Sequence, residues 1–150
     1  MSKHIWSIPC ETLLTDQLTN TVSYIQAIEG FFTTQLPINP PPFTVGSLWT
    51  RESDEPAIHS RVRLLAPDRS TVAVMENAPV AYGGTIRMRQ MTVLEGFTVH
   101  MAGTHEILVE QRRGFEWVVE CRLPLEISLL SPADFLAVQR QRIAATMSAV

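Results

Sequence analysis

Short runs in which apolar and polar residues alternate dominate the sequence between residues 57 and 123. The run RVRLLAP, for example, places Val62 and Leu64 at alternate positions, and Arg61 and Arg63 occupy the positions between and before them. Successive side chains of a β-strand point to opposite faces, so this spacing predicts strands with one buried face. A helix would require a period of 3.6 residues. The chain is therefore constrained to a β-rich fold.

Turn-forming residues separate these runs at intervals of about ten residues. The segment PDRS, residues 67–70, predicts a turn because proline presets φ for its first central position, and the flanking runs form a hairpin. Further strands are predicted at residues 5–8, 22–28, 44–51, 85–93, 97–101, 105–110 and 115–123. About seven to nine short strands at this spacing indicate a mainly β fold, an antiparallel β-sandwich, over residues 1–130.

The strand predicted at residues 115–123 supplies part of the expected core. Its alternation assigns four side chains to the inward face: Trp117, Val119, Cys121 and Leu123. The other cysteine, Cys10, is far from Cys121 in sequence, and no C-x-x-C spacing is present. We expect both to be free thiols that act as small buried side chains.

Residues 131–150 have a different pattern, which predicts one C-terminal helix. The segment SPAD, residues 131–134, offers a serine N-cap, a proline at the first helical position and a carboxylate near the positive end of the helix dipole. Leu136, Ile143, Met147 and Val150 share one face. Such a face needs a cover, which is either a partner or the helix's own sheet. The seven-residue spacing favours a second helix, so this segment is predicted to be an oligomerisation or docking element.

Four prolines fall within the stretch LPINPPPF, residues 36–43. A docking peptide for a P-x-x-P-binding domain and a connector between two sheets both remain possible interpretations. The apolar residues Leu36, Ile38 and Phe43 favour the connector, since a solvated ligand loop rarely carries them.

Composition limits the class of protein. The chain has 150 residues, 45% apolar and 18% charged, which predicts one globular domain in which the C-terminal helix packs on the sandwich or on a partner. A net charge of −3 disfavours a nucleic-acid partner. No apolar run of membrane-spanning length and no signal-peptide-like N-terminus are present, so we expect a cytoplasmic protein without a membrane partner.

The basic residues are almost all arginine, and four of them form two pairs. Arg61 and Arg63 share the outward face of one predicted strand, and Arg87 and Arg89 share that of another. If the strands are neighbours, the four side chains form one patch that suits an anionic partner. The alternative, which the overall acidity favours, is a solvated face on which arginines pair with nearby carboxylates, namely Glu106, Glu110, Glu116 and Glu120.

Three histidines, His59, His100 and His105, are the only candidate metal ligands, with Glu106 beside the last. Alternation places His59 and His100 outward but His105 inward, so we expect no metal site. No G-x-G-x-x-G, P-loop or G-x-S-x-G motif is present, and we expect neither a catalytic residue nor a cofactor.

Several segments resemble an uncharacterised family of small bacterial proteins that is known only as a domain of unknown function. The similarity lies in Cys10-Glu11 and Ile28-Glu29-Gly30, in RVRLLAPDRSTV and in FTVHMAGTHEILVE, and it spans about residues 6–128. His105 stands where that family more often has an aromatic residue. The resemblance implies a β-sandwich and brings no catalytic residues.

These observations predict a non-enzymatic structural or protein-interaction domain that forms a homo-oligomer or binds a protein partner. The candidate interaction residues are Arg61, Arg63, Arg87, Arg89, Leu136, Ile143 and Met147. The alternative is a ligand- or metal-binding β-fold, possibly an enzyme, whose site the sequence does not reveal.

Overall fold

The computed structural model describes residues 2–19, 21–52 and 56–149. Within these ranges it has eleven strands and one helix: β1 Ser2–Thr15, β2 Val22–Ala27, β3 Gly30–Thr33, β4 Phe43–Arg51, β5 Ala57–Ile58, β6 Ser60–Leu65, β7 Thr71–Glu76, β8 Val80–Ala81, β9 Arg87–Leu94, β10 Gly103–Arg113, β11 Glu116–Leu129 and α1 Pro132–Ser148. The strands form a four-stranded sheet in the order β2-β1-β4-β9 and a five-stranded sheet in the order β3-β11-β10-β6-β7. Strands β5 and β8 pair separately.

One hydrophobic core lies between the two larger sheets. The four-stranded sheet contributes Phe43, Val45, Trp49 and Leu94, and the five-stranded sheet contributes Val62, Leu64, Ile107, Val109, Leu125 and Ile127. The predicted mainly β, sandwich-like fold with one C-terminal helix is therefore confirmed. One pair departs from the antiparallel prediction, because β3 runs parallel to β11.

The hairpin predicted from the PDRS segment is formed by β6 and β7. The side chain of Asp68 accepts hydrogen bonds from the backbone N–H and hydroxyl of Ser70, at 2.9 and 2.5 Å. These bonds hold the pKa of Asp68 below its usual value, because they stabilise the charged carboxylate. The Arg69 N–H donates to the Ala66 carbonyl at 2.9 Å and completes the turn.

The proline-rich segment connects β3 of the five-stranded sheet to β4 of the four-stranded sheet. Leu36 and Ile38 pack against the core. Ile38 also exchanges two backbone hydrogen bonds with Val99, at 3.0 and 2.8 Å. The connector interpretation is therefore confirmed, whereas the strand predicted at 97–101 is reduced to this single bridge.

A β-bulge in β11 overturns part of the predicted core. Val109 pairs with Cys121 but the next residue, Glu110, pairs with Val119, so Glu120 is an extra residue on β11. An extra residue reverses the alternation of side chains beyond it. On the C-terminal side of the bulge, Cys121 and Leu123 pack against the core as predicted. Val119 and Trp117, by contrast, lie on the outer face, and their predicted inward orientation was wrong.

The C-terminal helix begins where the sequence predicts. Ser131 is the N-cap, and its hydroxyl accepts a hydrogen bond from the Asp134 N–H at 3.1 Å. Pro132 occupies the first helical position. Val150, which was assigned to the apolar face, lies outside the described residues. Among the described residues no helix has the length and apolarity of a membrane span.

The two cysteines lie on different sheets and are free thiols. Cys10 is buried on β1 and Cys121 is half-buried on β11. Burial raises the pKa of both thiols, because it disfavours the charged thiolate.

Candidate interaction surfaces

The four candidate arginines do not form one patch. Arg61 and Arg63 belong to β6 in the five-stranded sheet, whereas Arg87 and Arg89 belong to β9 in the four-stranded sheet. The condition for a joint anion-binding patch, that the two strands are neighbours, is therefore not met. Each pair has its own surroundings and its own role.

Arg61 and Arg63 form an ion-paired cluster around Glu110. Arg61 Nε donates to Glu110 Oε2 at 2.6 Å, and Arg63 Nη2 donates to Glu110 Oε1 at 2.8 Å. The Glu110 side chain is only 2% exposed, so the two guanidinium groups supply the charges that permit its burial. These arginines therefore stabilise the outer face of the sheet.

The remaining ion pairs follow the predicted cross-strand pattern. Arg113 Nη2 donates to Glu120 Oε1 at 2.6 Å, and Glu106 is bonded by Arg122 and lies 3.6 Å from Arg69. Of the four carboxylates, Glu110 pairs with two of the candidate arginines, whereas Glu106 and Glu120 pair with other arginines. In the described part of the chain, Glu116 has no arginine at ion-pair distance.

The bulge in β11 places an aromatic residue among these charges. The Arg61 guanidinium carbon lies 4.3 Å from the centre of the Trp117 ring, and that of Arg112 lies 6.0 Å away. The His59 ring meets the same tryptophan edge-on at 5.0 Å, and its Nε2–H donates a 2.7 Å hydrogen bond to Glu76 Oε1. Sequence reasoning missed this cluster because alternation alone assigns Trp117 to the core.

The outer face of the four-stranded sheet has a different character. Strand β4 buries Phe43, Val45, Ser47 and Trp49, so the residues between them and their paired neighbours point outward. The outward set is Lys3, Trp6, Ile8, Cys10, Thr44, Gly46, Leu48, Thr50, Arg87, Arg89, Met91 and Val93. It contains no carboxylate, and Met91 and Val93 are 56% and 42% exposed. This face is apolar and positively charged.

The far end of the β1–β2 hairpin bends over this face. A Cβ atom at Gly46 would lie 2.5 Å from Tyr24 Cε1 and 2.8 Å from Leu13 Cδ1, so these two side chains cover the glycine. The Tyr24 ring also meets the Trp6 ring edge-on at 5.4 Å. Only glycine leaves room for this close approach, which explains its position in the middle of a strand.

A cleft of about 170 Å³ separates the hairpin from β9. Its lining comprises Leu13, Thr15, Val22, Tyr24, Arg89, Gln90 and Met91. Burial raises the pKa of Tyr24, and the positive charge of Arg89 partly opposes that rise. Arg89 therefore lies close enough to Tyr24 for its charge to act within the cleft.

Helix α1 exposes the face that the sequence analysis selected. Leu136, Ile143 and Met147 are 52%, 61% and 73% exposed, and no residue of the described helix is buried. An adjacent side of the helix contacts the sandwich only loosely, with the Arg142 guanidinium 5.2 Å from the centre of the Phe32 ring. A groove of about 940 Å³ remains there, lined by residues of β2, β3, β11 and α1 that include Phe31, Phe32, Phe135 and Val138.

The three candidate histidines lie in separate surroundings. His59 belongs to the outer-face cluster, His100 is exposed in the loop before β10, and His105 is fully buried with its Nδ1 3.1 Å from the Gly103 carbonyl. Within the described ranges, no three His, Cys, Asp or Glu side chains converge as metal ligands would.

A serine–histidine contact occurs on β1, but its partners indicate a structural link between strands. His4 Nε2 lies 2.7 Å from Ser7 Oγ, and Ser7 Oγ lies 2.7 Å from Ser47 Oγ on β4. Burial lowers the pKa of His4, while the charge of Glu120 partly opposes this. The three side chains line neither of the clefts described above.

No protein-family model, curated protein or solved structure matches this chain. The resemblance to an uncharacterised bacterial family stays a prediction that rests on the residues quoted for it. Two surfaces, the exposed face of α1 and the outer face of the four-stranded sheet, are the candidate sites that the geometry supports.

Proposed function

We propose that this protein is a non-enzymatic interaction domain that assembles with a second copy of itself through helix α1. The observation that carries the proposal is the helix's exposed apolar face, formed by Leu136, Ile143 and Met147. Burying each such side chain against a partner contributes about 1.5–3 kcal/mol. Burial of these three side chains in a dimer would therefore contribute substantially to the free energy of association.

The helix also needs stabilisation that the sandwich does not supply. It has 17 residues and none of the described ones is buried. An isolated helix of about this length is marginal in water, and most helices in proteins are stabilised by packing of an apolar face. Contact with a partner copy would supply that packing.

Spacing along the helix favours another helix as the occupant. Leu136 and Ile143 are seven residues apart, and Met147 follows one turn later on the same side. This repeat keeps one stripe facing a neighbouring helix, in which Arg140 occupies the position between Leu136 and Ile143. The groove-facing side, with Phe135 and Val138, is the side that contacts the chain's own sandwich.

We further propose a cytoplasmic location. Both cysteines are free, which fits a reducing compartment, although the sheets that carry them also keep them apart.

Size-exclusion chromatography with light scattering tests the proposal. The full chain should form a dimer, and a chain lacking residues 132–150 should be a folded monomer, because no helix residue belongs to the core cluster. The double variant Leu136→Glu/Ile143→Glu should also be a monomer, and its β-sandwich should still unfold cooperatively.

A matched control places the same negative charges on the polar side of the helix. Gln141→Glu/Ser148→Glu keeps the seven-residue spacing of the test pair but lies about a third of a turn or more round the helix from Leu136, so it should leave the dimer intact. A full chain that is monomeric at about 100 μM, or a Leu136→Glu/Ile143→Glu variant that remains dimeric, would contradict the proposal.

A further inference from the structure

We infer that a second copy of this chain inserts the tip of its β10–β11 hairpin into the groove between α1 and the sandwich. The tip is the hairpin end at residues 112–116, which carries Phe115, and the groove has a volume of about 940 Å³. This contact differs from the proposed contact between α1 helices. It is therefore a second mode of self-association, and the two can be tested separately.

Phe115 is an apolar residue that the tip itself does not need. Strands β10 and β11 are joined by the two-residue turn Gly114-Phe115, in which Gly114 has a φ of +64°. A positive φ at the first position of such a turn explains the glycine, but it does not require phenylalanine at the second position. Phe115 is 97% exposed. A phenylalanine buries about 150–250 Å² when it is enclosed, and at this tip only another molecule can enclose it.

The groove offers aromatic surroundings for such a ring. Phe31 and Phe32 of β3 line it together with Phe135 and Val138 of α1. Phe32 is 39% exposed, and the other three side chains are half-buried. Aromatic rings prefer edge-to-face or offset contacts with one another, so three phenylalanine rings around one groove suit a fourth.

The tip carries one unpaired charge of each sign. Arg112 and Glu116 are exposed, and in the described part of the chain neither lies at ion-pair distance from an opposite charge. Arg112 is directly opposite Trp117 on β11, whereas Glu116 is directly opposite Arg113 on β10. Successive side chains of a strand point to opposite faces, so Arg112 and Glu116 lie on opposite faces of the hairpin.

The groove carries unpaired charges of both signs on opposite walls. Glu11 and Glu29 belong to the wall formed by the sandwich, and Arg142 belongs to the wall formed by α1. Within the ranges that the structure describes, none of the three lies at ion-pair distance from an opposite charge. A tip that enters with Arg112 towards the sandwich and Glu116 towards α1 therefore pairs with an opposite charge on each wall.

Charge also distinguishes this tip from the loop between β1 and β2. Leu18 in that loop is as exposed as Phe115, at 97%. Its neighbour Asp16 accepts a hydrogen bond from the Leu18 N–H at 2.8 Å, so a carboxylate accompanies the apolar side chain. The sandwich wall of the groove, with Glu11 and Glu29, would repel that carboxylate. The β10–β11 tip is therefore the better occupant.

The tip cannot reach the groove of its own chain. Glu116 at the tip and Glu126 in the groove are ten residues apart on the same strand, β11. At a rise of about 3.3 Å per residue, they are about 33 Å apart. The occupant is therefore a second copy. Because the tip and the groove are different surfaces, copies joined in this way form a head-to-tail chain or a closed ring.

The contact should be weak because it is small. One phenylalanine and two exposed ion pairs form an interface well below about 1,200 Å², the size range of transient complexes. We expect a Kd of about 1 mM for one tip and one groove. At about 100 μM most tips are then free, and light scattering reports the α1 contact alone.

Two complementary variants isolate the contact in an NMR experiment. Phe115→Ser removes the ring and keeps the groove, whereas Glu11→Lys/Glu29→Lys keeps the tip and reverses two charges of the groove. When ¹⁵N-labelled Phe115→Ser is mixed with about 1 mM unlabelled Glu11→Lys/Glu29→Lys, its groove amides, at residues 28–32 and 135–146, should shift to about half of saturation. Unlabelled Phe115→Ser at the same concentration is the matched control and should leave them unchanged. Contacts through α1 are the same in both mixtures.

Self-association of the wild-type chain gives a second readout. Raising its concentration from about 0.1 to about 2 mM should shift the groove amides and the Gly114 amide together, because both sides of the contact become occupied. Phe115→Ser should reduce these shifts at least about fivefold. Leu18→Ser removes an equally exposed apolar side chain from the other hairpin and should leave the shifts unchanged.

Charge reversal tests the orientation of the tip. Arg112→Glu, added to the unlabelled Glu11→Lys/Glu29→Lys chain, should weaken its binding to labelled Phe115→Ser by about threefold. The resulting triple variant should self-associate more tightly than Glu11→Lys/Glu29→Lys, because its reversed tip meets a reversed groove. A triple variant that does not would contradict the pairing of Arg112 with the sandwich wall.

Equal shifts of the groove amides in the two mixtures would overturn the inference, as would equal concentration dependence in the wild-type chain and Phe115→Ser. Either result with a dimer intact by light scattering would leave the proposed function standing. Conversely, a chain that is monomeric by light scattering at about 100 μM, but whose groove amides shift only in the first mixture, would support this inference and contradict the proposed function.

Discussion

Two tryptophans on opposite sheets should differ sharply in their contribution to stability. Trp49 on β4 is fully buried in the core, whereas Trp117 on β11 lies on the outer face beyond the bulge at Glu120. Replacing each with alanine therefore tests the face assignment directly. We expect Trp49→Ala to lower the free energy of unfolding several times more than Trp117→Ala does.

The magnitudes follow from the surroundings of each ring. Truncating a buried tryptophan removes its transfer free energy and leaves a cavity, which costs about 3–5 kcal/mol. Trp117 is half-buried and interacts mainly with the Arg61 guanidinium at 4.3 Å. A partly exposed cation–π contact contributes about 0.5–1 kcal/mol, and the loss of partly buried apolar area brings the expected total to about 1–2 kcal/mol.

Urea denaturation followed by circular dichroism measures both values without relying on tryptophan fluorescence. The free energies of unfolding should be compared at one protein concentration, because a dimer's stability depends on concentration. Trp49→Phe is a useful control. It keeps most of the ring volume and removes the buried Trp49 Nε1, which has no hydrogen-bond partner among the described residues.

The account would be refuted if the two alanine variants lowered the free energy of unfolding equally, or if Trp117→Ala lowered it more than Trp49→Ala. Either result would mean that Trp117 and Val119 face the core, and that β10 and β11 pair without a bulge at Glu120.

Three further predictions concern single side chains. Glu110→Gln should lower the free energy of unfolding, measured by urea denaturation, by about 1–3 kcal/mol. Two charge-assisted hydrogen bonds are lost, and hydration of the arginines offsets only part of that loss. An unchanged free energy of unfolding would contradict the role assigned to this carboxylate. Gly46→Ala should lower the free energy of unfolding by about 1–3 kcal/mol, because its methyl group crowds Tyr24, whereas Gly84→Ala, whose methyl group meets no atom within 4 Å, should lower it by less than about 1 kcal/mol. Equal losses for the two variants would argue against the position of the β1–β2 hairpin. The pKa of His4 is lower in the folded chain than in the unfolded chain, so the unfolded chain binds more protons and the free energy of unfolding should decrease as the pH falls below about 6.5. His4→Gln should reduce this loss of stability, and an unchanged pH dependence in the variant would contradict the prediction.

Local patterns determined much of the fold. The β6–β7 hairpin was predictable because Asp68 and the preceding proline specify the turn, and the flanking strands alternate without interruption. The N-terminus of α1 was predictable for a similar reason, since Ser131 and Pro132 act within one turn of the chain. Each signal depends on residues that are close in sequence.

Long-range pairing explains what the sequence analysis missed. Strand β3 is four residues long, and its position in the five-stranded sheet depends on parallel pairing with β11, which is far away in sequence. The bulge at Glu120 is likewise a property of two paired strands, and it moved Trp117 from the expected core to the outer face.

The candidate sites were partly predictable for the same reasons. Helical periodicity selected Leu136, Ile143 and Met147, and these side chains are exposed. The grouping of arginines depended on which strands are neighbours, and no local pattern distinguishes Arg61 from Arg87 in that respect.

Hydrogen exchange at several protein concentrations tests the central claim, that a second copy covers α1, most directly. Amides of the helix should exchange more slowly as concentration rises through the dimer's Kd, because partner contact stabilises a helix that has no buried residue of its own. Amides of β4 and β10 in the core should be protected even at the lowest concentration. Helix protection that is equally strong at every concentration, including concentrations at which light scattering shows a monomer, would contradict the claim and mean that the chain's own sandwich stabilises α1.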